Sequence, residues 1–306
     1  MIFHHMIFNR VRYAFVTCLA LSLFVASTCF AEENSGAAAT KYPVILAHGM
    51  GASAEILGRW DYWWGVADAL RKEGAEVYTT SVNGMDGTAA KAADFKRQFL
   101  EILATSGKPK ANIIGHSHGT VYTRYAISNL GLADMVASHT SIAGPHRGSA
   151  VADAVVGIIP DAWEPLAGNT IDFIYTLLFG DTNPDSLQNA YDLTSTHMIN
   201  NFNPNTPDIS GIYYQSWTGI MKSKVRRNWY FGATWQILQE NEGENDGLVS
   251  VNSAKWGTFR GVEEGADWSA GVDHINIVGH PNGRTPGFDC DQFYIDIVSE
   301  LKDMGF

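Results

Sequence analysis

Residues 111–122, ANIIGHSHGTVY, join an apolar run, a serine between glycines and the start of a helical pattern. The first four residues are typical of a short buried strand, and the pattern after Gly119 is typical of a helix. The Gly-x-Ser-x-Gly between them is a nucleophile elbow, a strained turn that raises Ser117 above the end of a strand. Gly115 and Gly119 suit this turn because it brings backbones too close for a Cβ atom. The stretch therefore predicts a nucleophilic serine.

The segments on either side of the elbow alternate between strand and helix patterns. Strands are predicted at residues 42–47, 76–82, 111–114, 136–142 and 212–218, with a further strand near residues 228–232. Helices are predicted at residues 62–72, 89–104, 121–130 and 290–304. This alternation predicts an α/β fold, a mostly parallel central sheet with helices on both faces. Ligands of such sheets bind at the carboxyl ends of the strands, where the elbow is predicted.

Residues 151–201 interrupt the alternation with a dense set of apolar side chains. Two interpretations stay open: a pair of core helices, or a mobile apolar lid over the strand ends. The chain has no internal repeat and no low-complexity tract. Residues 32–306 are therefore predicted to form a single domain that carries this insert.

A serine hydroxyl needs a general base, and the base needs an orienting carboxylate. After an elbow serine, the chain order is the acid and then the histidine. His274 lies in the last loop before the terminal helix, where the base belongs, and His280 in the same loop is the alternative. Asp246, in an Asp-Gly turn before an apolar pair, is the predicted acid. Asp273 is the rival acid, although it adjoins His274. The other histidines after the elbow are His139, His146 and His197.

The oxyanion that forms during acyl transfer needs backbone N–H donors. One donor is the residue after the nucleophile, His118. The other should come from the turn after the first strand, His48-Gly49-Met50, and we assign it to the N–H of Met50.

Six ordered segments carry a family resemblance: KYPVILAHGM, DYWWGVADALRKEGAEVY, IIGHSHG, SIAGPHRGS, GIYYQSW and NDGLVS, from residue 41 to about residue 250. The chain resembles the bacterial true lipases of the Pseudomonas–Burkholderia–Proteus group, the family I.1/I.2 triacylglycerol lipases. The resemblance implies an α/β-hydrolase fold, hydrolysis of long-chain acylglycerols at a lipid–water interface, and a lid at the insert. It implies the same nucleophile, acid, base and two oxyanion donors: Ser117, Asp246, His274, Met50 and His118.

The chain departs from this family at the calcium site that many members carry near the catalytic histidine. The aspartate two residues after that histidine is replaced here by Asn276, and the second aspartate has no convincing equivalent. We therefore expect no required cofactor, with calcium at the acidic run Glu240, Glu242 and Glu244 as the alternative to a solvated loop. The family's disulfide is also missing, as in Proteus-like members that need no foldase chaperone, so dependence on a foldase stays open.

The first 31 residues have the order of a secretory signal. Arg10 and Arg12 precede an apolar run from about residue 14 to residue 26, and small residues lead to Ala31. We expect cleavage after Ala31 and a secreted product that passes through the periplasm. An uncleaved membrane anchor is the alternative, because the apolar run is nearly long enough to span a bilayer.

Composition excludes several classes of protein. The 306 residues are 45% hydrophobic, which is too high for a disordered chain, and only 17% charged, which is too low for a long solvated helix. The net charge of −11 argues against a nucleic-acid partner, because phosphates require a basic face. Cys18 and Cys29 lie in the predicted signal, so Cys290 would remain alone and form no intrachain disulfide.

These observations predict a secreted serine esterase or lipase that forms an acyl-enzyme with acylglycerols. The elbow itself does not select the acyl group. A carboxylesterase, a phospholipase or a polyester depolymerase on the same scaffold is therefore an alternative. A non-catalytic binding protein on a hydrolase scaffold is a more remote one, because the nucleophile, acid, base and glycines are all intact.

Overall fold

The centre of the molecule is a sheet of six strands, each parallel to its neighbours. The strands of the chain are β1 (Val44–Ala47), β2 (Glu55–Ile56), β3 (Trp60–Asp61), β4 (Val77–Thr80), β5 (Ala111–His116), β6 (Val136–Ile142), β7 (Tyr213–Gly219) and β8 (Thr258–Glu263). The order across the sheet is β4-β1-β5-β6-β7-β8, and β2 pairs separately with β3 in an antiparallel ladder. The predicted α/β fold with a parallel sheet is thus confirmed.

This computed structural model describes residues 36–50, 55–56, 60–157, 184–222, 231–280 and 285–306. Residues 36–306 form one compact unit. The predicted signal peptide lies outside the described residues. Among the helices of the described part, none combines the length and hydropathy needed to cross a bilayer.

Helices cover both faces of the sheet. They are α1 (Val66–Lys72), α2 (Thr88–Ser106), α3 (His118–Asn129), α4 (Ala150–Val155), α5 (Pro184–Asp192), α6 (Ser195–His197), α7 (Asn203–Asn205), α8 (Gly232–Asn241), α9 (Val251–Ala254) and α10 (Cys290–Asp303). A π-helical turn, Met198–Phe202, joins α6 to α7, and short 3₁₀ turns lie at Ala133–Met135 and Asn276–Val278.

The alternation of side chains along β1 explains the two-faced core. Val44 and Leu46 pack with α1 and α10, whereas Ile45 and Ala47 pack with α2 and α3. Successive strand residues point to opposite faces, so a strand buried on both faces must be apolar throughout, as VILA is. Full burial of a side chain such as Phe95 stabilises the fold by about 1.5–3 kcal/mol relative to exposure.

One strand prediction is only partly covered by the described residues. In the segment near residues 228–232, residues 228–230 lie outside the described part of the chain, and Gly232 begins helix α8. The sixth strand of the sheet is instead β8, Thr258–Glu263, which the sequence did not predict. The physical reason is that β8 is an edge strand whose side chains are half-buried or exposed, so it carries no apolar run.

The two ends of the predicted lid insert pack into the body of the protein. Val151 and Ala154 of α4 pack against residues of α8. On the return side, Leu193, Met198 and Phe202 form an apolar cluster that includes Met50. Residues 158–183, the middle of the insert, lie outside the described residues, so the lid stays a prediction.

Candidate active site

The glycine-flanked serine occupies a strained turn between β5 and α3. Strand β5 ends at His116, α3 begins at His118, and Ser117 between them has φ 55° and ψ −130°. Positive φ is costly for a residue with a Cβ atom, and such strain persists only when surrounding contacts impose it. Here the Ser117 N–H donates to the carbonyl of Ile142 at the end of β6 (2.9 Å), and Thr120 N–H donates to the Ser117 carbonyl (3.0 Å).

Close backbone approach explains the glycines around this turn. A Cβ atom on Gly119 would lie 2.2 Å from the carbonyl oxygen of Ala47 in β1. On Gly115 it would lie 2.8 Å from the Thr120 nitrogen, and on Gly49 it would lie 2.8 Å from the Ser117 Cβ. Only glycine fits at these three positions. The contact of Gly49 also places the predicted oxyanion turn directly beside Ser117.

Asp246 and His274 form a buried hydrogen bond. His274 Nδ1 lies 2.7 Å from Asp246 Oδ2, and both side chains are almost completely buried. The other carboxylate oxygen, Oδ1, accepts the N–H groups of Leu248 (2.9 Å) and Val249 (2.7 Å), which fixes the plane of the carboxylate. An ionised carboxylate only accepts hydrogen bonds, so Nδ1 must donate. The neutral imidazole then carries its lone pair on Nε2, the form required of a general base.

The same geometry brings His274 to the serine turn. Its ring centroid lies 4.7 Å from that of His116, the residue before Ser117. Its backbone N–H donates to the Asp246 carbonyl (2.9 Å), so the acid and base loops are joined twice. The structure therefore brings Ser117, Asp246, His274 and the turn before Met50 to the carboxyl end of the sheet.

Tyr62 is a contact of this site that the sequence analysis missed. Its hydroxyl accepts the Gly49 N–H (3.0 Å) and is hydrogen-bonded to His116 Nδ1 (2.5 Å). Burial raises the pKa of Tyr62 and lowers the pKa of His116, so both groups are neutral. The Gly49 N–H of the predicted oxyanion turn is therefore already engaged by Tyr62. The only feature of the sequence that points to Tyr62 is the aromatic doublet Tyr62-Trp63 at the start of a predicted amphipathic helix.

The rival acid and the rival base are engaged elsewhere. Asp273 Oδ1 accepts the N–H groups of Ile275 (3.0 Å) and Asn276 (2.7 Å), as a cap of the 3₁₀ turn. His280 Nε2 lies 2.9 Å from the carbonyl oxygen of Asp61. The hydrogen bond between a carboxylate and an imidazole that a triad requires is the one between Asp246 and His274.

The remaining histidines also have structural contacts. His139, inside β6 as predicted, is bonded to Thr123 Oγ1 (2.8 Å). His146 lies between Ser141 Oγ (2.6 Å) and the Arg124 guanidinium (3.1 Å) and is fully buried. The ring of His197 packs against Tyr191 at 5.2 Å. None of these contacts is to the Asp246–His274 pair.

The residues expected at a calcium site do not fit one. Asn276 Nδ2 donates to the His280 carbonyl (2.6 Å), and Asn276 Oδ1 accepts the N–H of Asp273 (3.3 Å). In the acidic run, the Glu242 carboxylate accepts hydrogen bonds from the Ala150 N–H and the Ser250 hydroxyl. Within the described ranges no three acidic, histidine or cysteine side chains converge as metal ligands. Asn276 Oδ1 and the Glu242 carboxylate thus already accept hydrogen bonds from the protein.

Acid should destabilise this protein through its buried neutral histidines. Burial lowers the pKa of six of them below 6.5, to about 4 for His48 and about 3 for His139, with the others being His116, His118, His146 and His280. Between pH 6.5 and pH 4 the unfolded chain binds more protons than the folded one, so the free energy of unfolding falls as pH falls. Burial raises the pKa of three carboxyl groups, Glu242, Glu263 and Asp291, which act in the opposite direction but are fewer.

We therefore expect the midpoint of urea unfolding to fall when the pH is lowered from 7 to 4.5 at constant ionic strength. The slope of the free energy of unfolding against pH should correspond to more than one extra proton bound by the unfolded chain. The variant His139→Gln, in which one buried histidine is removed, should show a shallower slope by up to one proton. A midpoint that is independent of pH over this range would contradict the assignment.

Comparisons with known proteins agree with this fold. A family model described as the alpha/beta hydrolase fold matches residues 42–202. The triacylglycerol lipase of Vibrio cholerae is 33% identical over 79% of this chain and 84% of its own length. Triacylglycerol lipase 2 of Saccharomyces cerevisiae is 31% identical, over 80% and 74% respectively. The mature form of a Bacillus licheniformis lipase superposes with a TM-score of 0.64 at 18% identity, over 86% of this chain and 93% of that chain.

The likeness to the Bacillus structure supports the fold, and the two sequence relatives support homology with lipases. The narrower Pseudomonas–Burkholderia–Proteus group is not singled out, because the relatives extend from a bacterium to a yeast. The chain belongs to the alpha/beta hydrolase family and is an enzyme homologous to triacylglycerol lipases.

Proposed function

We propose that this chain is a secreted serine lipase of the predicted bacterial group, which hydrolyses the ester bonds of acylglycerols through an acyl-enzyme on Ser117. The observation that carries the proposal is the buried hydrogen bond between Asp246 and His274 beside the strained serine turn. A serine in this setting has what a nucleophile needs: an oriented base and small neighbours. The signal pattern of residues 1–31 supports export.

In the proposed reaction, Ser117 Oγ attacks the ester carbonyl while its proton passes to His274 Nε2. Asp246 stabilises the imidazolium, and the carbonyl oxygen becomes an oxyanion. His274 then gives the proton to the leaving alcohol, which departs as the acyl-enzyme forms. A water molecule attacks the acyl-enzyme with the same base, and the acid product leaves as Ser117 regains its proton.

Two backbone groups are proposed to hold the oxyanion, the N–H of Met50 and the N–H of His118. His118 is the first residue of α3, where an N–H has no acceptor within the helix. Gly49 N–H already donates to Tyr62, which favours the next residue, Met50. Donors that are fixed before the reaction stabilise the developing charge without reorganisation.

A lipid substrate is supported by the apolar surroundings of the oxyanion turn. Met50 belongs to a cluster of apolar side chains with Val121, Leu193, Met198 and Phe202. Ile199, on the return side of the insert, is 52% exposed. We propose that the acyl chain binds at the exposed edge of this buried cluster, next to Ile199, with the insert of about residues 151–201 as the lid. No metal is assigned a step, because the residues of the expected calcium site do not fit one.

The test is the hydrolysis of p-nitrophenyl esters from C2 to C16 by the purified protein, with and without a calcium chelator. We expect the largest kcat/KM at C8 or longer and no loss of activity with chelator. A maximum at C2 to C4 would contradict the lipase proposal and favour a carboxylesterase. Loss of activity with chelator, restored by added calcium, would contradict the proposed independence of metal.

A further inference from the structure

Lys91 is a buried cationic side chain that the proposed mechanism does not use. It lies in the first turn of α2 and is completely buried. Its Nζ lies 3.0 Å from His118 Nδ1 and 3.1 Å from Asn189 Oδ1. Burying an amine is costly unless it is hydrogen-bonded, so a lysine in this position must be held by its partners. One of those partners, His118, carries a proposed oxyanion donor.

The direction of each hydrogen bond follows from the groups involved. Asn189 Nδ2 donates to the Gly84 carbonyl (3.1 Å), which leaves Oδ1 to accept from Lys91. An ammonium group only donates, so His118 Nδ1 accepts and His118 Nε2 carries the ring proton. That proton points to Thr88 Oγ1, 2.8 Å away. Both ring nitrogens of His118 are therefore engaged, and its rotamer and tautomer are fixed.

The same hydrogen bonds can also form when Lys91 is uncharged. Burial lowers the pKa of Lys91 to about 7, against the opposing effect of Asp86 and Asp192. A neutral amine still has two N–H groups, enough for His118 and Asn189.

The same contacts reach the insert. Asn189 and Asp192 belong to α5, the helix at the C-terminal side of the insert. Asp192 Oδ2 accepts a hydrogen bond from the N–H of Thr88, the first residue of α2 (2.7 Å). Asp192 Oδ1 accepts a second hydrogen bond from Gln188 Nε2 (2.7 Å). Asp192 thus caps α2 from 104 residues away, where Gly87 offers no side chain. Helix α5 is docked at two points on the start of α2.

We propose that Lys91 is a positioning residue that couples helix α5 of the insert to the oxyanion hole. Its hydrogen bond to His118 fixes the first residue of α3, and its hydrogen bond to Asn189 fixes helix α5. Catalysis depends on donors placed to within a fraction of an ångström, and small displacements cost more in the transition state than in the bound ester. The inference rests on the proposed function, since it assigns the His118 N–H to the oxyanion.

The test compares Lys91→Met with Lys96→Met. Lys96 lies on the same helix and donates to the Leu130 carbonyl (2.7 Å), away from the serine turn. The kcat of each variant is calculated from the concentration of active sites, which is measured by titration with a fluorophosphonate. A smaller fraction of folded protein therefore does not lower the measured kcat. We expect Lys91→Met to lower kcat by roughly 10- to 100-fold with KM within about 2-fold. Lys96→Met should keep the kcat of the unsubstituted protein.

A transition-state analogue separates positioning from mere stability. The Ki of an alkyl boronic acid, which forms a tetrahedral adduct with an activated serine, should rise in Lys91→Met by the factor by which kcat/KM falls. A purely structural role would lower Tm and leave kcat per titrated site and Ki unchanged, and that result would overturn the inference.

Variants of His118 provide the second arm. The variant His118→Leu, which removes the acceptor for Lys91, should match Lys91→Met. The double variant Lys91→Met/His118→Leu should lose no more than either single variant, because both break one contact. If Lys91→Met does not fold, the variants His118→Leu and Asn189→Ala test the coupling in its place. A normal kcat in both of them would refute the coupling. An unsubstituted protein that neither hydrolyses esters nor reacts with the fluorophosphonate would instead refute the proposed function.

Discussion

Ser117→Ala should lower the rate of ester hydrolysis by about 10⁴- to 10⁶-fold, while the protein stays folded. The side chain loses only its hydroxyl oxygen, which is the atom proposed to attack the ester. The fold should persist because serine and alanine pay the same strain at φ 55°. The measurement is kcat/KM for p-nitrophenyl butyrate beside far-UV circular dichroism and urea unfolding.

Ser128→Ala is the matched control for this variant. Ser128 lies on the same helix, α3, and its hydroxyl donates to the Pro207 carbonyl (3.0 Å) at a distance from the elbow. It should keep normal activity. A fluorophosphonate should label the unsubstituted protein on the peptide that contains Ser117 and should not label Ser117→Ala. Residual activity of the alanine variant within 10-fold of normal would rule out Ser117 as the nucleophile.

Asp246→Asn should cost about 10⁴-fold in kcat. The amide oxygen of the new side chain can still accept the N–H groups of Leu248 and Val249, so its NH₂ group faces His274 Nδ1. Two donors cannot share a hydrogen bond, which forces the imidazole to accept at Nδ1 and to carry its proton on Nε2. In that tautomer Nε2 has no lone pair for the serine proton. The measurement is kcat across pH 6 to 10 on a soluble short-chain ester.

Asp273→Asn is the control that separates the two candidate acids. The Asp273 carboxylate caps the 3₁₀ turn after the base, and an amide oxygen can accept the same N–H groups. We expect its activity to stay within about 10-fold of normal. A larger loss for Asp273→Asn than for Asp246→Asn would transfer the role of the acid to Asp273.

The strands that the sequence predicted well are those buried on both faces. Strand β1 is apolar at every position and β5 contains the pair Ile113-Ile114, so apolar residues marked these two strands, whereas β6, VASHTSI, is buried despite its four polar side chains. Strand β8 escaped prediction because an edge strand needs no such run. The side chains of β8 are half-buried or exposed. Its place at the edge of the sheet follows from its pairing with β7, which the sequence pattern of the segment does not encode.

The elbow could be read from twelve consecutive residues because its requirements are local. A strand, a sharp turn and a helix each leave a short-range pattern, and the steric need for glycine acts within the turn and its immediate neighbours. The order of acid and base after the serine is a rule for folds with this elbow. It narrowed the candidates to Asp246 or Asp273 and to His274 or His280.

By itself, then, the sequence determined the parallel sheet, the serine turn and a short list of partners. The tertiary structure decided which partners meet: Asp246 with His274 across 28 residues, Tyr62 with His116 across 54, and Lys91 with Asn189 across 98. Such contacts leave no periodic pattern in the chain. They form only when packing brings distant segments together, because a buried polar group must then find a hydrogen-bonding partner wherever the fold has placed one.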